Sequence, residues 1–240
     1  MMSGRRGNLV KIVIVIIVIF LCIAYYGPLI NHNKSSEGHL KEHTELTVPE
    51  YSGAPYFEIN NNIPFFDESD YSETVFESYS ELDILGRCGP AFACLGKELM
   101  PTEPRGDIGV VRPTGWEQEK YYGIVDSDPP YLYNRCHLIA YCLTAENANE
   151  RNLITGTRYM NVEGMLPFEE RVARYISKTG NHVLYRVTPI FEGNNLLASG
   201  VLMEAYSVED RGNGVKFCVY CYNVQPGIEI DYSDGYNYIK

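Results

Sequence analysis

The sequence has little tryptophan, a deficit of positive charge, and no clear small-residue pattern of a cleaved leader. Trp116 is the only tryptophan among 240 residues, against 20 tyrosines. Twenty Lys and Arg face 31 Asp and Glu, a formal net charge of −11. That is the wrong sign for a sequence-independent hold on phosphate backbones. The deficit is uneven, however. Residues 1–34 carry Arg5, Arg6, Lys11 and Lys34 with no acid, and residues 35–81 carry eleven acids against Lys41. Residues 82–240 hold 20 acids and 15 bases, so they are only mildly acidic. Total charge therefore does not exclude a local basic face. No internal repeat is present. The acids of residues 51–85 show no ligand spacing and read as a solvated face rather than a metal cluster. The apolar (45%) and charged (21%) fractions are those of a globular protein, and the length leaves room for one sizeable domain or two small ones.

From Leu9 to Tyr26 the chain is apolar except for Lys11, and Gly27-Pro-Leu-Ile30 extends the run. With Lys11 snorkelling, residues 9–30 reach bilayer-spanning length behind the basic residues 1–8. The reading is an uncleaved anchor, with Arg5 and Arg6 inside the cell membrane and the bulk of the chain outside. Ala24 followed by Tyr25-Tyr26 makes a poor cleavage site, although cleavage and secretion remain the alternative. Residues 31–47 are polar and read as a tether; His32, His39 and His43 lie in it as solvated side chains.

The folded domain is expected over 48–240. Pro55, Pro64 and Asn60-Asn-Asn62 break residues 51–85 into short extended pieces and turns. Leu85–Gly96 reads as a buried strand, and Pro101–Gly109 as a loop. Val110–Trp116 bears a turn carrying Arg112 and Trp116, a pair able to position a phosphate and pack a base, or simply a packed Trp beside a surface Arg. Tyr121–Ile124, Tyr131–Tyr133 and Leu138–Leu143 are short strand candidates. Pro167–Gly180 is the clearest helix, with Pro167 in the first turn, an apolar stripe of Phe168, Val172, Tyr175 and Ile176, and Gly180 at the stop. Three strands follow, over His182–Phe191, Leu196–Ala205 and Lys216–Tyr222, with His182 a structural residue at the start of the first. Strands, one helix and more strands predict an α+β domain built on an antiparallel sheet.

Cys22 falls in the anchor. The other six cysteines permit disulfides in fifteen pairings. Cys218-x-x-Cys221 resembles half a zinc knuckle, but residues three apart on a strand face opposite sides. Cys136 as a nucleophile beside His137 meets the same objection.

Hydrolysis of a phosphodiester needs a base for water and positive charge for the phosphate and the leaving oxygen. Histidine suits the first near neutral pH. Mg²⁺ suits the others and tolerates few protein ligands because it keeps most of its waters. Asn134-Arg-Cys-His137, then Asn152-Leu-Ile-Thr155, Thr157-Arg-Tyr-Met-Asn161 and Gly164-Met-Leu-Pro-Phe-Glu169, resemble the DNA/RNA non-specific endonucleases of the ββα-metal class. The likeness is to their secreted or membrane-attached bacterial branch, and extends more loosely from Leu85 to Gly227. The resemblance implies helices flanking the antiparallel sheet and a ββα finger presenting the site. It implies His137 as general base, Asn161 as ligand of one Mg²⁺ that Mn²⁺ can replace, Asn152 as support for site geometry, and Glu169 as the group orienting metal-bound water. Arg135 matches the motif arginine, and Arg158, three residues before Asn161 on one helix face, can reach a phosphate. The implied activity is cleavage of DNA, with RNA as second substrate, leaving 5′-phosphate ends. Two positions depart from the motif. Its aspartate is Asn134, and its glycine is Cys136, which would not suit a position needing φ > 0. A surface-anchored module that binds nucleic acid or another partner without cutting is the alternative from another class.

Overall fold

Period-two alternation of apolar residues builds the central sheet, since every second side chain reaches the same face. The computed structural model describes residues 47–240. The anchor over 9–30, Cys22 and the tether histidines lie outside the described residues. Among the described residues no helix is long and apolar enough to cross a membrane. Strands β1 (Tyr56–Glu58), β2 (Phe76–Tyr79), β3 (Ala91–Leu95), β6 (Val183–Ile190), β7 (Gly200–Ser207) and β8 (Lys216–Tyr222) form a six-stranded sheet in the order β1-β8-β7-β6-β3-β2. All its pairings are antiparallel. Two smaller antiparallel pairs accompany it, β4 (Tyr133–His137) with β5 (Leu153–Thr157), and β9 (Ile228–Ile230) with β10 (Asn237–Ile239).

One face of the large sheet carries Ala93, Tyr185, Met203 and Phe217 into the core. Helix α2 (Leu166–Thr179) packs there through Val172 and Ile176, both fully buried. Each such side chain contributes about 1.5–3 kcal/mol of burial. Pro167 sits in the first turn, and Gly180 ends the helix at φ +75 with its N–H on the Ile176 carbonyl, a left-handed stop that glycine takes without strain. The opposite face holds a buried ion pair. Arg186 donates from Nε to Glu204 Oε2 (2.7 Å) and from Nη2 to Oε1 (3.0 Å), and Glu204 is 1% exposed. The Phe65 N–H donates to the same carboxylate at 2.7 Å, and the guanidinium lies 5.0 Å over Phe66. The pair thus fastens the segment before β2 to the sheet.

The expected strand over Leu138–Leu143 is not formed. The chain leaves β4 at His137 because Asn152 takes both backbone groups of Ile139, accepting from its N–H (2.8 Å) and donating to its carbonyl (3.0 Å). With those groups satisfied no ladder is needed, and Tyr141–Thr144 coils into the single-turn helix α1, ended by Ala145 at φ 58. Tyr121–Ile124 is a turn, with only a lone bridge between Lys120 and Tyr131. In Leu85–Gly96 the strand is confined to β3, since Gly86 turns the chain at φ +78. All six described cysteines are free thiols, and five are buried.

Candidate active site

Strand β4, its partner β5 and the helical stretch after it place Asn134, Arg135, Arg158 and Asn161 around one cleft. Met160–Met165 form a π-helical turn that runs into α2, and its Asn161 carbonyl accepts the Leu166 N–H. The cleft, about 640 Å³, is lined by Arg105, Trp116, Asn134, Arg135, Arg158 and Asn161, among others. Three arginines in one cavity supply the local basic face that the total charge concealed.

His137 closes β4 and is 6% exposed. Its Nε2 lies 2.8 Å from the Asn147 carbonyl oxygen, and its Nδ1 lies 3.5 Å from Arg105 Nη2. A carbonyl only accepts, so this partner assigns the proton to Nε2 and leaves the lone pair on Nδ1, toward the arginine that lines the cleft. Burial pushes the imidazole pKa down to about 4; the Asn147 carbonyl opposes that shift, and Arg105 adds to it. His137 is therefore neutral near pH 7, as a proton acceptor must be. The same burial links it to stability. In the metal-free protein the unfolded chain takes up a proton near the ordinary histidine value of about 6.5, whereas the folded chain waits until about 4. This contribution is fully present above pH 6.5 and is lost as pH falls through that window, about 3 kcal/mol in all. Urea unfolding at pH 7 and pH 4.5 should show that loss in the wild type relative to His137→Gln; equal pH dependence would place the proton elsewhere.

Asn152 is fully buried, and its grip on Ile139 sets where the chain turns away after His137. Arg135 points its guanidinium at the Val111 and Gly109 carbonyls and stacks 4.3 Å from the Trp116 ring. It therefore fixes the 109–116 loop as well as lining the cleft. Arg158 lines the cleft while its N–H anchors to the Leu132 carbonyl. Glu169 is 6% exposed and does not line the cleft. Burial pushes its pKa up to about 8, with Arg105 opposing, so without a cation nearby it holds its proton at neutral pH.

The structure separates one expected pair. Trp116 faces the cleft, but Arg112 lies in a different cavity, exposed, donating to the Trp116 carbonyl and 3.5 Å from Glu117. The loop that carries both turns at Gly115 (φ +64), which sends neighbouring side chains apart. Cys136 sits in β4 without a positive φ. Its thiol is accommodated by Gly156 across the pair, where a Cβ would overlap both Cys136 Sγ and Met160 Cε. The thiol is fully buried and its pKa is held well above the ordinary value by that burial, which disfavours a nucleophilic thiolate. His182 is paired with Glu209 at the start of β6, a structural role.

Among the described residues no group of three or more His, Cys, Asp or Glu could hold a metal ion. The cleft offers amides instead. Asn161 lines it with Asn134, whose buried amide nitrogen has no hydrogen-bond partner; being a donor, that nitrogen suits an anionic oxygen of the substrate, and the amide oxygen for a cation is left to Asn161. An amide oxygen in a roomy polar cleft fits a hard cation that keeps most of its waters and takes few protein ligands. It does not fit a soft site built of thiolate and imidazole. Arg105 and Asn147 had no signal in the sequence. Both sit in loops, tied together by Asn147 Nδ2 donating to the Asp107 carbonyl (3.3 Å), and only the fold brings them to His137.

The comparisons with known proteins agree with this geometry. Residues 68–209 match the family model of the DNA/RNA non-specific endonucleases. A deoxyribonuclease of Streptococcus dysgalactiae subsp. equisimilis is 33% identical over 110 residues, 44% of this chain and 32% of the relative. The chain thus aligns with about a third of the length of that curated relative. NucA of Streptococcus agalactiae, solved with a magnesium ion bound, superposes with a TM-score of 0.70 at 23% identity, covering 82% of this chain and 91% of NucA. Sda1 nuclease, solved with a zinc ion, superposes at 0.62 and 24% identity over 75% of this chain and 95% of its own. With a cleft built from the ends of β4 and β5 and more than half of its length matching the family model, the chain belongs to the DNA/RNA non-specific endonuclease family.

Proposed function

We propose that the protein is an endonuclease that hydrolyses phosphodiester bonds of DNA, and of RNA as second substrate, with little sequence preference and with Mg²⁺ as its cofactor. The observation that carries this reading is the convergence on one cleft of Asn161, Asn134, Arg158 and Arg105, with the unprotonated Nδ1 of His137 facing the last of these. Asn161 would hold the cation, and Mn²⁺ would replace Mg²⁺. When bound, the cation offsets charge on the phosphate and on the departing 3′ oxygen. His137 Nδ1 takes the proton of the attacking water, while the Nε2–H bond to Asn147 holds the ring in that tautomer. Arg105 and Arg158 offer donors to the phosphate oxygens and Asn152 keeps His137 in place, while the water-orienting role of Glu169, which is buried outside the cleft lining, rests on the family likeness alone. Ends carrying 5′-phosphate follow from the family likeness. The segment over 9–30 would hold the domain at the outer face of the cell membrane.

Support also comes from NucA, solved with a magnesium ion bound, and from the streptococcal deoxyribonuclease. The test is incubation of the full chain with circular duplex DNA and, separately, with RNA. Both should be degraded in Mg²⁺ or Mn²⁺, remain intact in excess EDTA, and be degraded again when Mg²⁺ is restored. DNA left intact in Mg²⁺ by folded protein would leave only a binding role. Because burial holds His137 near 4, the rise of rate with pH should have its midpoint well below the unperturbed value of about 6.5.

A further inference from the structure

The lining of the cleft divides by chemistry. One part is cationic, with Arg105, Arg135 and Arg158 beside Asn161. The other is aromatic, with Trp116 and Tyr131, and the one acid in the lining is Asp128. Each ring has a cation over one face, Arg135 at 4.3 Å from Trp116 and Lys120 Nζ at 4.8 Å from Tyr131. Tyr131 remains 39% exposed. It is also held rigidly. Lys120 and Tyr131 bridge, the Leu132 N–H donates to the Glu119 carbonyl (3.0 Å), and the Tyr121 N–H donates to the Pro130 carbonyl (3.0 Å).

Resting on the nuclease reading of the same cleft, we propose that Tyr131, backed by Lys120, is a stacking platform for an unpaired nucleobase beside the cleaved phosphate, and that single-stranded segments are the favoured substrate. A carboxylate at Asp128 repels phosphate but accepts hydrogen bonds from the amino groups of a base. The cationic part therefore suits the backbone, and the aromatic part the base. A cation on one face of a ring leaves the other face electron-poor, which strengthens stacking on electron-rich purines. A base inside a duplex has both faces covered and cannot offer one to Tyr131 without leaving the stack. Stacking of this kind tolerates any base, as a non-specific enzyme requires.

The test measures binding without cleavage. The full chain in EDTA is titrated into dye-labelled single-stranded DNA and into an abasic strand of equal length, followed by anisotropy; emission of Trp116, the only tryptophan, reports arrival in the cleft. The wild type should hold the base-bearing strand about 10- to 100-fold more tightly, and Tyr131→Ala should remove much of that preference. Tyr131→Phe should keep it within about threefold, while Lys120→Ala, which removes the cation behind the ring, should weaken the base-bearing strand more than the abasic one. Tyr131→Leu keeps apolar bulk without a ring, should alanine unseat the bridge. Equal losses on both strands, or no base preference in the wild type, would overturn the stacking role alone. Failure of either strand to bind would overturn the stacking role, whereas the nuclease reading falls only if circular DNA stays intact in Mg²⁺.

Discussion

Replacing His137 with alanine should lower the rate of DNA cleavage in Mg²⁺ by about 10²–10⁴-fold, the usual cost of removing a positioned general base. The loss should appear in kcat rather than KM, because the proton transfer assigned to Nδ1 develops only in the transition state. The pH dependence assigned to Nδ1 should vanish with it. Added imidazole should restore part of the rate, since the substitution opens a cavity beside the Asn147 carbonyl. Steady-state kinetics on a labelled duplex, with a melting curve to show that the variant is folded, make the measurement. A folded variant within threefold of the wild-type rate would assign the proton transfer to another group and reduce His137 to a packing role.

The second large effect falls on stability and should leave chemistry alone. Glu204 is 1% exposed, and its carboxylate serves Arg186 twice and the Phe65 N–H once. Glu204→Ala would strand a buried guanidinium and an amide, a change that destabilises by about 3–5 kcal/mol. Its neighbours Met203 and Ala205 point into the core with α2, so Glu204 faces the other side of the sheet. Urea denaturation should therefore show the full loss, while kcat per folded molecule stays at the wild-type value. Glu204→Met, which removes the charge but keeps the bulk, tests whether the unpaired Arg186 causes the damage, and Arg186→Met combined with it should recover much of the loss. A loss under 1 kcal/mol in Glu204→Ala would mean that water reaches the pair.

Much of the scaffold was legible because local chemistry settled it. Pro167 and Gly180 mark α2 to within a residue, and the alternation in Lys216–Tyr222 gives β8 with the same limits. His137 and Asn161 are proposed from a motif whose two halves lie on β4 and on the turn after β5. The failures have a common cause. Leu138–Leu143 looks like a strand until Asn152, a dozen residues later, takes the Ile139 backbone. Arg105, Asn147 and Tyr131 belong to irregular segments with no period, and their contacts to His137 and the cleft arise only from the fold. Arg112 and Trp116, four residues apart, were read as a unit, but one positive-φ glycine between them divides their directions. Departures from the motif were visible as residues but not as consequences. Cys136 proved compatible because Gly156 gives way to it.

The six thiols bear on what holds such a domain together. Its described part has no cross-links to make or break: packing and the Arg186–Glu204 pair hold the layers together. Five of the thiols are shielded from solvent, and burial raises the pKa of each of them. Within residues 47–240 the fold therefore rests on no covalent bond that a reductant could open.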